Sequence, residues 1–331
     1  MGIERSGKQE MCQKNFLQKI QANIIQGDFF RFVPFIILII VFAVVSIAVP
    51  YFFTPSNLIS VLLQASALAF LAIGETAVLI LGGIDLSMPG IMALGAIFGA
   101  MFMRGGGSPF VAGLIMLAVP FMLGLINGIA VSYFNMIPFV VTLAMQAITT
   151  GAAVMVTNQL SISNLPKSFT GTILKNIAGI PLPVIVVILV TILIQFLLKR
   201  SILGRWLYAT GTNIRTSKVS GVPTKKVVLL TYAFAGLMTG LAALILTSRL
   251  ASASPQMGKD ALVMDIIASA VLGGVSTMGG IGTAVNAVVG AIIITLISNV
   301  MNMANISYYL TLVIKGAIIV IVVAIDANRR K

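Results

Sequence analysis

Glu75 and Asp85 are two of eight acidic residues in a chain of 331, and both fall inside one long apolar run, Phe70 to Phe98. An ionised carboxylate at the centre of a bilayer helix costs about 2.5–3.5 kcal/mol, so such residues face a cavity, a partner or a break in the helix. No basic residue lies within reach of Glu75 in its own span; its carboxyl must be neutral, hydrated or bound. The break is legible too. Gly82 and Gly83 end one helix, Asp85 or Ser87 can cap the next, and Pro89 falls in its first turn, where a missing N–H costs nothing. Interrupted backbone at membrane depth is tolerated only where protein or water covers its polar groups. Residues of this kind suit the binding or passage of a polar solute.

Other chemistry is poorly supplied. There is no histidine, and the single cysteine, Cys12, excludes an intrachain disulfide. No phosphate-binding loop, zincin motif, nucleophile elbow or Cys/His cluster is present, so this chain alone is expected to be no enzyme and to bind no metal and no cofactor. Further polar side chains, Gln64, Asn127, Gln146, Asn158, Asp265, Asn286, Asn299 and Asn302, sit in apolar stretches. Such an amide ordinarily bonds another helix. Gln146 and Asn299 are expected to join Glu75 along a translocation route, hydrogen-bonding a solute loosely. Asp265 is expected to cap a short apolar stretch that begins at Leu262.

The elements that must position these residues are membrane helices. The chain is 59% hydrophobic and 9% charged, more apolar surface than a soluble domain can hide. Ten apolar stretches fall at about 33–52, 57–81, 88–103, 109–132, 137–157, 181–198, 227–247, 262–275, 282–301 and 307–325. The third and eighth are short for a span of about 20 residues and are expected to be half-helices inside protein. The predicted fold is therefore all-α and polytopic, with broken helices. Gly90, Gly95 and Gly99, and the G-x-x-x-G pairs Gly124/Gly128 and Gly236/Gly240, are spaced for close helix packing. The motif Leu81-Gly82-Gly83-Ile84 has a weak echo in Leu272-Gly273-Gly274-Val275.

Lysine and arginine set the orientation. Fifteen of the 21 lie in three segments: five before Phe32, seven in Lys199–Lys226 and three at the C-terminus. All three segments are expected on the cytoplasmic side. Six stretches separate the first two and four the last two, so the topology closes. The expected organisation is a cytoplasmic N-terminal segment over 1–32, part of which (15–30) is a candidate surface helix. Helices one to six follow over 33–198, a cytoplasmic loop over 199–226, helices seven to ten over 227–326 and a tail over 327–331.

Five motifs, in order, carry a resemblance. Gly82-Gly83-Ile84-Asp85-Leu86-Ser87 comes first, then Phe139-Val140-Val141-Thr142-Leu143. The loop Leu203-Gly204-Arg205, Tyr208-Ala209, Gly211, Asn213 and Ser220-Gly221 follows. Ala270 to Gly274 with Gly279-Gly280-Ile281-Gly282, and Ser307-Tyr308-Tyr309 with Lys315, complete the set. Together they resemble the ribose-type sugar permease subunits of bacterial ABC importers, close to the ribose and allose permeases, from about Phe53 to Asp326.

The resemblance implies ten spans in the bacterial inner membrane, and a pairing with a second permease subunit whose interface carries a pentose, hexose or related polyol. It implies a cytoplasmic ABC ATPase that holds ATP and Mg and docks on the loop containing Gly204, Arg205, Gly211, Asn213, Ser220 and Gly221. It also implies an extracytoplasmic sugar-binding protein, and no nucleic-acid partner. The sequence departs from the family where Asn213-Ile214-Arg215-Thr216 replaces an Asn-Glu-Ala-Ala run, and where Ile281 and Thr283 replace two basic residues. A glutamate at the place of Glu75 resembles the allose-type members. The rival reading is a stand-alone proton- or sodium-coupled transporter that uses Glu75 and Asp85 as its coupling pair.

Overall fold

The computed structural model describes residues 32–47 and 49–328. Residues 1–31, with the surface-helix expectation over 15–30 and most of the N-terminal segment, lie outside the described residues, as do 329–331 of the tail.

A helix occupies each of the ten apolar stretches. They are α1 (Phe32–Ile47), α2 (Pro55–Ile80), α3 (Met88–Arg104), α4 (Pro109–Ser132) and α5 (Pro138–Thr157). After the short α6 (Lys167–Ile173) come α7 (Leu182–Arg200), α8 (Ile202–Thr212) and α9 (Ile214–Val219). The chain continues with α10 (Thr224–Leu250), α11 (Asp260–Leu272), α12 (Ala284–Met303) and α13 (Tyr308–Asn328). Among the described residues, six helices are long and apolar enough to cross a bilayer unaided: α2, α4, α5, α7, α10 and α12. Among the described residues, strand structure is confined to two antiparallel ladders of two residues per strand. One pairs Ile162–Ser163 with Ser252–Ala253, the other Asn176–Ile177 with Ile180–Pro181.

The bundle is organised around α2. Every residue from Ala65 to Ile80 is buried, as expected of a helix that is apolar on all faces and enclosed by others. It packs on α7, α10, α11 and α12. By contrast α4 and α7 bury only a narrow stripe each, leaving broad apolar faces. The paired glycine motifs meet within one chain. A Cβ on Gly124 would lie 2.5 Å from the Tyr232 carbonyl oxygen, and one on Gly236 2.3 Å from that of Pro120, so α4 and α10 touch backbone to backbone.

The two expected half-helices are shorter than a full span. At 1.5 Å per residue, α3 is about 26 Å and α11 about 20 Å long. Their N-terminal ends meet: the 3-10 turn Pro255–Gly258 precedes α11, and a Cβ on Gly258 would come 3.1 Å from the Pro89 carbonyl oxygen. One expectation is corrected here. α11 begins at Asp260, so Asp265 lies in the helix interior and caps nothing. Lys259 is the N-cap residue and Asp260 the first residue of the helix, two positions before the apolar stretch begins.

Candidate functional site

The helix break is built by a glycine cap. Gly82 adopts φ +86°, its N–H donates to the Leu79 carbonyl (2.8 Å), and the Gly83 N–H donates to that of Val78 (3.0 Å). This is the Schellman arrangement, and it closes α2. The same cap ends α11, where Gly274 takes φ +78° and Val275 N–H donates to Ala270 (3.1 Å). The sequence echo is thus one device used twice, displaced by one residue in its glycines.

From Gly82 the chain runs without regular structure to Ser87 and turns into α3. Ser87 holds the N-cap position of α3, as one of the two expected residues, but its side chain makes no capping hydrogen bond, and Asp85 does not cap the helix. Asp85 is occupied outside the helix: its Oδ1 accepts from the Ser87 N–H (2.9 Å) and from the Ser87 hydroxyl. The cap comes from α5. Gln146 Oε1 accepts from the Gly90 N–H (2.7 Å), and its Nε2 donates to the Gly258 carbonyl (3.0 Å). One amide therefore binds the start of α3 to the turn before α11.

Glu75 is fully buried, and its Oε1 accepts from the Asp85 backbone N–H (3.3 Å). Asn127 of α4 donates to the Ser87 hydroxyl (2.9 Å). Tyr232 of α10 sits over the break, its hydroxyl 2.8 Å from where a Gly83 Cβ would be. Thr142 of α5 donates to the Ile84 carbonyl (3.2 Å). Glu75 Oε2, Asn127 Oδ1 and the Tyr232 hydroxyl have no partner among the described residues. The break is thus a buried polar core shared by α2, α4, α5 and α10.

The other candidates sit apart from it. Asn299 of α12 and Asn57 of α2 exchange amide hydrogen bonds of 2.8 and 3.3 Å. Asp265 of α11 and Lys315 of α13 form a two-pronged ion pair, 2.7 and 2.9 Å. Of the three expected pathway residues, Glu75 and Gln146 therefore flank one junction, and Asn299 pins a different pair of helices. Tyr232 and Asn57 carry no sequence signal beyond their polarity. Lys315 does carry one, because a lone lysine in an apolar span requires a partner.

The basic loop folds into α8 and α9. Ser201 Oγ accepts from the Gly204 N–H (3.0 Å), and Asn213 Oδ1 accepts from Arg215 and Thr216 (both 3.0 Å), so each helix starts on a side-chain cap. Ser220 follows α9, and Gly221 turns the chain with φ +80°. Gly204 lies against the end of α7, where a Cβ would meet the Leu198 carbonyl oxygen at 2.2 Å. Arg205 is exposed. Gly211 presses on the end of α2: a Cβ there would stand 1.7 Å from the Ile80 carbonyl oxygen. That oxygen accepts from the Gly280 N–H (2.8 Å), and Tyr208 donates to the Gly282 carbonyl (2.6 Å). The basic loop, the end of α2 and the α11–α12 connection are therefore one packed junction.

A bundle of membrane-length helices, a buried polar break and a compact basic loop welded to that break define a multi-pass membrane protein of the transport type. The chain belongs to the family described as branched-chain amino acid transport system / permease component, whose pattern matches residues 57–323. It is 34% identical to the D-allose transport system permease protein AlsC of Escherichia coli (strain K12) over 88% of this chain and 90% of that one. It is 35% identical to the ribose import permease protein RbsC of Bacillus subtilis (strain 168), over 89% and 92%. Identity to the xylose transport system permease protein XylH of Haemophilus influenzae is 31%, over 83% and 90%. No solved structure matches the chain.

Proposed function

We propose that this chain is the permease subunit of an ATP-driven importer for a pentose, hexose or related polyol. Similarity to sugar permeases over about nine tenths of both chains carries the reading. Two permease subunits form the path between them in the bacterial inner membrane, with ten spans each and both termini in the cytoplasm. The exposed face of α5 supports such an interface: Ala144, Ala147 and Gly151 lie on it, and nothing stands within 4 Å of a Cβ built on Gly151. A separate ABC ATPase, holding ATP and Mg, docks on the loop 199–226. An extracytoplasmic binding protein delivers the sugar.

In this mechanism Gly204, Arg205, Gly211, Asn213, Ser220 and Gly221 shape the surface that the ATPase pushes. The push reaches α2 through the contact of Gly211 with Ile80, because packed junctions move as rigid bodies. Glu75, Gln146 and Asn299 belong to the translocation route as the groups that hold its wall and re-pair as it opens. The solute is held loosely, since tight binding in a path slows release.

The test is ATP hydrolysis in nanodiscs containing this chain and its ATPase, with the binding protein and a panel of pentoses, hexoses and polyols. Hydrolysis that requires this chain and rises with one loaded binding protein supports the importer and names the sugar. Uptake driven by a proton or sodium gradient alone, with no ATPase bound, overturns it in favour of a secondary transporter built on Glu75 and Asp85.

A further inference from the structure

Beside the coupling junction lies a cavity of about 930 Å³, near the upper end of about 300–1,000 Å³ for small-molecule sites. Its walls come from Phe32 and Phe35 of α1, the end of α7, Tyr208 of α8 and the segment leading into α12. The walls are apolar at Phe32, Phe35 and Leu198, and the rim carries two cations, Lys199 and Arg205. Among the described residues neither cation has a carboxylate partner; the ion pair found there joins Lys315 to Asp265. Arg205 has one long bond, 3.4 Å, to the Arg200 carbonyl, which leaves most of its donors unused.

We infer that this cavity holds the headgroup of an anionic phospholipid, its phosphate between Lys199 and Arg205. Three observations favour a lipid over other occupants. The first is depth. Lys199 stands one residue from the end of α7, so the mouth lies where an apolar helix of membrane length meets its polar flank. The second is the path for acyl chains. Ile188, Leu189, Ile192, Leu193 and Phe196 expose a continuous apolar face on α7 leading to that mouth. The third is charge. The segment preceding Phe32 carries five basic against three acidic residues, so it is a poor counter-charge for two more cations. Basic pockets between membrane helices on the cytoplasmic side are suited to phosphate headgroups.

The α12 N-terminus contributes little directly. Gln195 Oε1 already accepts from the Ala284 and Val285 N–H groups (3.0 and 3.4 Å), and Thr283 Oγ1 accepts from Asn286 (3.2 Å). The two long cationic side chains therefore do the binding. The position gives the lipid a consequence. Gly280 and Gly282, in the wall, are the residues that bond Ile80 and Tyr208, so an occupied cavity braces the same connection that packs on Gly211.

Native mass spectrometry of the purified chain, titrated with phosphatidylglycerol and separately with phosphatidylcholine, tests this without reference to transport. The wild type is expected to retain phosphatidylglycerol selectively, and Lys199→Gln/Arg205→Gln to bind it about thirtyfold more weakly, two cations being removed. The charge-preserving Lys199→Arg/Arg205→Lys pair is expected to retain it, and so is Lys167→Gln/Lys175→Gln on the outer segment. A photoreactive phosphatidylglycerol on the wild type, where no variant has to fold, is expected to label α1, the end of α7 or residues 280–286. Equal retention by the Gln pair overturns the inference. So do equal binding of phosphatidylcholine, displacement by millimolar inorganic phosphate, and labelling confined elsewhere.

Discussion

Gly211→Ala is the sharpest perturbation the junction offers. The added Cβ would stand 1.7 Å from the Ile80 carbonyl oxygen and 2.9 Å from its carbon. A comfortable C···O contact is about 3.3 Å, so the end of α8 and the end of α2 must separate by about 1.6 Å. Both neighbours are backbone, and the Ile80 oxygen is also held by the Gly280 N–H, so neither can give as a side-chain tip would. Overpacking of this kind costs about 1–3 kcal/mol. The loss is relieved most cheaply by parting α8 from α2, which leaves each helix intact. Thermal unfolding in detergent should therefore show a drop of that size with assembly preserved. In nanodiscs with the ATPase and loaded binding protein, stimulation of hydrolysis should fall toward the basal rate. Gly171→Ala, where nothing lies within 4 Å of the new atom, serves as the control. A Gly211→Ala protein with wild-type stability and full stimulation would refute the rigid junction.

Substitutions at three further sites separate the roles of the buried polar groups. Gln146→Ala strands the Gly90 N–H and the Gly258 carbonyl, each worth about 1–3 kcal/mol, and thermal melting should show a loss of that order. Glu75→Ala should cut uptake of the native sugar while the protein assembles, and Glu75→Gln should retain more activity because it still accepts from the Asp85 N–H; unchanged uptake in Glu75→Ala counts against a role in the route. Asp265→Asn should destabilise toward the lower end of about 3–5 kcal/mol, since that side chain keeps 20% of its surface exposed, and Asp265→Leu/Lys315→Met should recover most of it in the same melt.

The positions of the helices were legible because a bilayer leaves one local solution for a long apolar run, an internally bonded helix. The break after Ile80 was legible because two glycines, an acid and a proline each disfavour continuing that helix. What closes the break was not. Gln146 is one amide among several in apolar stretches, and no local pattern tells an amide which helix end it will meet. Asp265 is misplaced because the apolar stretch starts only at Leu262, although Asp260, an acid in the first turn, favours an earlier helix start. Its partner was within reach of sequence reasoning, because an acid and a lysine in two apolar spans stabilise each other best by meeting. Gly211 was read as a loop residue; its contact with Ile80 joins segments 131 positions apart, which no local pattern encodes.

The two glycines at the junction act by different physics, and that difference can be measured. Gly82 holds φ +86°, yet a Cβ on it would find its nearest atoms, the carbonyl oxygens of Gly211 and Met278, at 4.0 Å. Space is available, and the constraint is the left-handed backbone, which costs an L-residue about 1–2 kcal/mol and which Asn tolerates best. At Gly211 the backbone is helical and the constraint is the Ile80 carbonyl. Asn should therefore rescue position 82 relative to Ala or Val, and should be worse than Ala at position 211. Because α2 is rigid between Glu75 and Ile80, about 8 Å of helix, a distortion at either glycine reaches the carboxylate. Melting temperature and stimulated hydrolysis measured on the four Ala and Asn variants should cross between the two positions. Parallel losses at both would mean that the α2 cap and the α8 contact are not separate constraints, and that force does not pass from the basic loop through Ile80 to the break.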